Sequence, residues 1–258
     1  MRTALTIAGS DSSGGAGIQA DLRTFAAHGV FGTSAVTAVT AQNTVGVTSV
    51  WPVPAAVVRA QIDAVVADLG ADATKIGMLA TGEIAAVVAD ALRRHALAHV
   101  VLDTVLTSTS GTRLLDDDGL AVLRRELLPL ATVVTANLSE ASALTRLAVA
   151  TVEDARRAAL ALVGLGARAA IVKGGHLEGP AVDVLHDGHA LIDLYGDRIP
   201  TRHTHGTGCT FASALAARLA QGDGLLDAAR AAKAYVTRAI ANAPGIGRGH
   251  GPLGYVPS

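Results

Sequence analysis

Cysteine, aromatic rings and net charge are all scarce in this sequence. A single cysteine, Cys209, among 258 residues excludes an internal disulfide framework and fits a reducing compartment. Aromatic residues make up 3% of the chain, too few for the stacking platforms that hold single-stranded nucleic acid. The formal net charge is −1 and there is no basic block, which argues against a nucleic acid or an anionic membrane surface as partner. No apolar run reaches the roughly 18–20 residues needed to cross a bilayer, and the Ala-rich stretch from Ala155 to Ala170 is broken by arginines. The apolar start, Met1 to Ala8, is too short for a signal peptide. The expectation is a soluble, cytoplasmic protein.

What the chain has is core material: half its residues are hydrophobic and 17% are charged. Short β-branched runs alternate with helical periods, the mark of βαβ units around a parallel sheet. Ala4 to Ala8, Ser34 to Thr40, Val100 to Asp103, Thr132 to Thr135 and Ala169 to Lys173 read as strands. Val58, Ile62, Val65, Val66 and Leu69 form one helical stripe. Thr151 followed by Glu153 and Asp154 reads as a helix cap, after which Val152, Ala155, Ala159 and Val163 share a face. Val182 to Leu185 and Ala190 to Leu194, joined by His186-Asp-Gly-His189, read as an edge hairpin. Helices over about Thr207 to Gln221 and Leu225 to Asn242 close the pattern, before an aperiodic Gly/Pro-rich tail from Pro244. With no repeat or linker, residues 1–258 are expected to form one domain.

Ligands of open α/β sheets bind beyond the carboxyl ends of the strands, so the residues after each strand carry the chemistry. The first strand leads into Gly9-Ser-Asp-Ser-Ser-Gly-Gly-Ala-Gly17 and a helix from about Ile18. That loop is either a tight turn or a close backbone approach to a ligand. Gly15-x-Gly17-x-x-Ala20 lacks the acidic partner of a dinucleotide fingerprint. Thr204-His-Gly-Thr-Gly-Cys-Thr210 enters a helix. Gly206 and Gly208 would free successive amides to meet one oxyanion, aided by the helix dipole, and the helix start would lower the thiol pKa of Cys209. It is not a Walker A loop, because no Gly-Lys-Ser/Thr closes it. Asp103 and Glu140 end strands; each is either a helix cap or a flank for hydrated Mg²⁺. Lys173, also at a strand end, could reach a phosphate. His203 and His205 have no third ligand spaced for zinc.

Taken in order, five segments resemble the hydroxymethylpyrimidine/phosphomethylpyrimidine kinase family of the ribokinase-like superfamily. They are Ala8 to Leu22, Ala41-Gln-Asn-Thr44, Lys75-Ile-Gly-Met-Leu79, Lys173-Gly-Gly-His176 and Thr204 to Thr210, and the similarity runs from Thr3 to Gly249-His-Gly-Pro252. The resemblance implies a ribokinase-like α/β fold, a central mostly parallel sheet with helices on both faces, and a homodimer. It implies ATP- and Mg²⁺-dependent phosphorylation of 4-amino-5-hydroxymethyl-2-methylpyrimidine and then of its monophosphate, in thiamin biosynthesis. Gln42 would bond the aminopyrimidine, with Gly9, Asp21, Met78 and Val105 lining its pocket. Asp103 and Glu140 would serve the metal, and Asn137, Lys173 and Thr207 the nucleotide phosphates. Gly206, Gly208 and their neighbours would form an anion hole beside Cys209, which would act either as base or as a small residue shaping the loop. Two segments depart from the family pattern: Thr109 stands where a lysine is usual, and Ala136 where a proline is usual. A pyridoxine-type vitamer kinase and a non-catalytic pyrimidine sensor are the alternative readings.

Overall fold

The computed structural model of the chain describes residues 1–108, 110–175 and 181–257. Thr109 and His176 lie outside the described residues.

Among the described residues the strands form one sheet. Six run parallel: β1 (Thr3–Asp11), β2 (Phe31–Gln42), β4 (Ala73–Ile76), β5 (Val100–Asp103), β6 (Val133–Asn137) and β7 (Ala170–Lys173). Three run antiparallel at the margins: β3 (Val47–Pro52), β8 (Ala181–His186) and β9 (Leu191–Gly196). The order across the sheet is β3-β2-β1-β4-β5-β6-β7-β8-β9. The central strands are four or five residues long and apolar in succession because both faces are covered. On β5, Val100 and Leu102 join the core on one face and Val101 the core on the other.

The first core packs beneath α2 (Ala55–Asp68), α3 (Gly82–Arg94), α5 (Leu138–Thr145) and α6 (Val152–Gly164). A short helix, α4 (Asp117–Val122), continues as one π and one 3₁₀ turn to Leu130 on the same side. The second packs beneath α1 (Gly17–Ala27), α7 (Thr207–Ala220) and α8 (Leu225–Ala241). The architecture is α/β, with helices on both faces. The expected hairpin is present: Gly188 takes φ +98° at its turn, and Asp187 Oδ1 accepts from the amides of His189 and Ala190. Asp154 and Thr151 form the expected capping box of α6.

Two elements escaped the sequence reading. Strand β4 sits between β1 and β5, but Ala73-Thr-Lys-Ile76 carries a lysine where an apolar residue would signal a buried strand. Lys75 is nevertheless fully buried, because Asp21 on α1 pairs with it at 2.9 Å. The edge strand β3 shows no alternation to announce it.

Candidate active site

All six parallel strands point their carboxyl ends toward one edge of the sheet, and a cavity of about 490 Å³ opens there. Its walls come from the ends of β1, β2, β4, β5, β6 and β7, from the segment leading into α7, and from His250 of the tail. The tail is aperiodic yet tied down: His250 N donates to Thr44 O at 2.8 Å and Gly254 N to Ala239 O at 2.9 Å.

At the α7 end, Gly206 is the N-cap with φ +84°. A Cβ there would stand 1.8 Å from Gly15 O, so both conformation and contact require glycine. Thr210 N makes the first helical bond, to Gly206 O, and Thr207 N turns back to Thr204 O. The amides of Gly208 and Cys209 keep no protein partner among the described residues, and they share the positive end of the helix dipole. The anion hole anticipated over Gly206 to Cys209 therefore comes down to these two amides. A Cβ on Gly208 would lie 3.2 Å from Lys173 Nζ and 3.8 Å from Asp103 Oδ2, which brings the hole, the lysine and the carboxylate together.

The charges here are interlocked. Asp103 Oδ1 accepts from Lys173 Nζ at 3.0 Å and from Thr135 Oγ1 at 2.9 Å. Burial opposes its charge, but Lys173 and Lys75 outweigh it and hold the carboxyl below the usual range. For Glu140 burial wins: helped by the negative Asp103, it pushes the carboxyl up to about 7 against the pull of Lys173. Burial works against the charge of Lys173, yet Asp103 and Glu140 raise its pKa overall.

Glu140 is a cap as well as a wall residue. Its Oε2 accepts from Asn137 N at 2.8 Å and Thr104 Oγ1 at 3.3 Å, while Asn137 Oδ1 accepts from Glu140 N, closing a capping box on α5. Glu140 Oε1 and Asp103 Oδ2 take no hydrogen bond among the described residues. The described residues hold no cluster of three or more His, Cys, Asp or Glu able to hold a metal. Two carboxylates with an oxygen free suit an ion that completes its shell with water and phosphate.

Cys209 corrects an expectation. Burial pushes its thiol up to about 11, with Asp21 and Asp103 adding to the rise. Lys75 and a bond from the Gly17 amide pull the other way without prevailing. The residue is half-buried on the cavity wall, and enough protein surrounds the thiol to override the helix terminus.

Gly9, Gln42, Met78 and Val105 line the same cavity. A Cβ on Gly9 would meet Met78 Sδ at 2.9 Å, so this glycine admits the methionine. Asp21 does not line the cavity; it lies fully buried behind it, accepting from Thr6, Ser213 and Lys75. Lys75 takes its place on the wall. Asp11, Thr40 and His205 also line the cavity, and the sequence reading gave none of them a role. His205 sits inside a quoted motif but was weighed only as half of a zinc pair.

The sequence pattern of the phosphomethylpyrimidine kinase family matches residues 11–254. The chain is 53% identical over 254 residues to a hydroxymethylpyrimidine/phosphomethylpyrimidine kinase of Rhizobium meliloti, covering 97% of this chain and 95% of that one. It superposes on the ADP complex of Bacillus subtilis pyridoxal kinase with a TM-score of 0.92 at 40% identity, over 99% of this chain and 97% of that one. Staphylococcus aureus pyridoxal kinase, in complex with AMP-PCP and pyridoxal, also gives 0.92, at 35% identity over 100% and 94% of the two chains.

Proposed function

The chain belongs to the phosphomethylpyrimidine kinase family, and from that premise we propose how its cavity performs the family's reaction. It is an ATP-using phosphotransferase acting on hydroxymethylpyrimidine and phosphomethylpyrimidine in thiamin biosynthesis. Gln42 hydrogen-bonds the aminopyrimidine, whose ring packs among Gly9, Met78 and Val105. The hydroxymethyl group then faces α7. Asn137, Lys173 and Thr207 hold the nucleotide phosphates, and the Gly208 and Cys209 amides meet charge on the transferred group. Asp103 and Glu140 would hold Mg²⁺, which neutralises phosphate charge when bound. The observation that carries this reading is one cavity that holds a carboxamide together with two unpaired helix-terminal amides beside a lysine and two carboxylates.

Because a thiol with its pKa near 11 is protonated at neutral pH, Cys209 bounds the anion hole as a small neutral group. The hydroxyl proton goes to one of the two carboxylates. Outward-facing Val39 and Trp51, paired across β2 and β3, support a homodimer joined through that edge.

Phosphorus NMR of hydroxymethylpyrimidine with Mg-ATP tests the function. A phosphate monoester resonance followed by a diphosphate pair is expected, and ATP left unconsumed overturns it. The solved pyridoxal kinases of the same fold favour pyridoxal as a second substrate. A kcat/KM for pyridoxal equal to that for the pyrimidine would make the two readings one.

A further inference from the structure

Asp11, Thr40, Gln42 and His205 meet on the cavity wall beside the entry to α7, with His205 one residue before the Gly206 N-cap. His205 Nε2 lies 2.7 Å from Asp11 Oδ2, and both side chains are buried. The Gln42 carboxamide spans the gap, placed with its nitrogen 3.3 Å from His205 Nε2 and its oxygen 3.2 Å from Thr40 Oγ1. Proton accounting turns that amide over, its nitrogen and oxygen being alike in shape but opposite in hydrogen bonding. Asp11 accepts only, so His205 Nε2 carries a proton and donates it there. The amide atom facing Nε2 must then be the oxygen, since an NH₂ would bring hydrogen against hydrogen. Thr40 has one hydroxyl proton, and Ser10 O takes it at 2.8 Å. The amide atom facing Thr40 must therefore be the nitrogen. Both neighbours demand the same orientation.

We propose that Asp11, acting through His205, is a positioning residue that locks the orientation of the Gln42 carboxamide and so selects an aminopyrimidine over its oxo counterpart. The inference rests on the reading of Gln42 as the residue that bonds the ring. An aminopyrimidine edge offers an acceptor nitrogen beside a donor amine, whereas the oxo form offers a donor N–H beside an acceptor oxygen. A freely turning amide would match either edge, but a locked one matches only one of them, which for an aminopyrimidine substrate is the first. Asp11 also receives the Ser13 and Ala16 amides, and that loop-holding job alone would not discriminate between the two rings.

Asp11→Asn tests this. Ser13 donates twice to Oδ1 and Ala16 N once to Oδ2, so the new NH₂ takes the Oδ2 place at the loss of one bond rather than two. It faces His205, whose Nε2 becomes an acceptor and turns the Gln42 amide over. Calorimetric dissociation constants for hydroxymethylpyrimidine and its 4-oxo analogue should show the preference falling roughly tenfold or more, the scale of a mispaired buried polar group. An unchanged preference in folded Asp11→Asn overturns the proposal. If that variant does not fold, nitrogen-15 NMR of wild-type histidines decides: a protonated His205 Nε2 is expected, and a bare one overturns the proposal. Gln42→Leu is the separate control. Unchanged pyrimidine affinity there sinks the reading of Gln42 itself, and the positioning role with it.

Discussion

Cys209 shares a wall with Lys75, whose charge favours a thiolate, yet burial and two nearby carboxylates push the thiol up to about 11. At pH 7 roughly one part in ten thousand is then thiolate. Alkylation by iodoacetamide should be slow at neutral pH and climb through pH 9 to 11; a plateau below pH 8 would show an activated thiolate instead. By the same reasoning Cys209→Ala should slow the first and second phosphorylations alike in single-turnover experiments, whereas a selective loss in the first step would restore a base role. Glu140 titrates within the physiological range, at about 7 against an ordinary 4.5. A carboxyl whose folded pKa is raised stabilises the fold below its unfolded pKa, and that contribution is lost as pH rises through the folded one. The metal-free protein should therefore lose stability between about pH 5 and 8, and Glu140→Gln should flatten that slope in urea titrations. Since Mg²⁺ favours the ionised carboxyl, its affinity in the presence of ADP should rise several-fold from pH 6 to 8 in wild type but not in Glu140→Gln. Parallel curves would leave Glu140 only its cap on α5.

The start of α7 puts two glycines to different uses. Gly206 is held at φ +84° with a backbone oxygen where a side chain would go, so Gly206→Ala should cost more than about 2 kcal/mol by urea unfolding. Gly208 has no positive φ and sits inside the helix, where alanine is favoured by about 1 kcal/mol. Its Cβ would press at 3.2 Å on Lys173 Nζ, the end of a flexible chain that can yield. Gly208→Ala should stay within about 1 kcal/mol of wild-type stability yet lower kcat, because it moves the lysine beside the anion hole. Equal activity would remove Gly208 and Lys173 from the phosphate end. Both glycines stand out in the sequence, but only backbone angles and neighbours separate their roles.

On the whole molecule, the β2–β3 margin exposes Val39 (48%) opposite Trp51 (59%), the only tryptophan. An unpaired edge strand with apolar side chains calls for a cover. Sedimentation velocity should show a dimer at micromolar concentration, Trp51 emission should shift red on dilution as the ring meets water, and Trp51→Glu should give a monomer. A wild-type chain that sediments as a monomer throughout overturns the dimer.

Composition, alternating periods and strand-end motifs were enough to give the α/β class, the hairpin, the last two helices and the charged groups Asp103, Glu140 and Lys173, and the family resemblance added Gln42, Met78, Val105, Asn137 and Thr207. These features are local: a capping box, a turn glycine or a buried strand is written in neighbouring residues. Strand β4 was hidden because its lysine is neutralised by Asp21, more than fifty residues away. Asp21 was expected on the wall and Lys75 was given no role, since only the packing of α1 against β4 shows which of the pair faces the cavity. The thiol of Cys209 was expected to be acidified by its helix end, but burial, a property of the assembled fold, reversed the direction. Asp11, Gln42 and His205 lie on three separate stretches of chain, and whether an amide is locked depends on distances that sequence does not contain. The sequence determined which groups gather at the sheet edge; tertiary packing decided their protonation and order, because desolvation and hydrogen-bond pairing are set by neighbours in space.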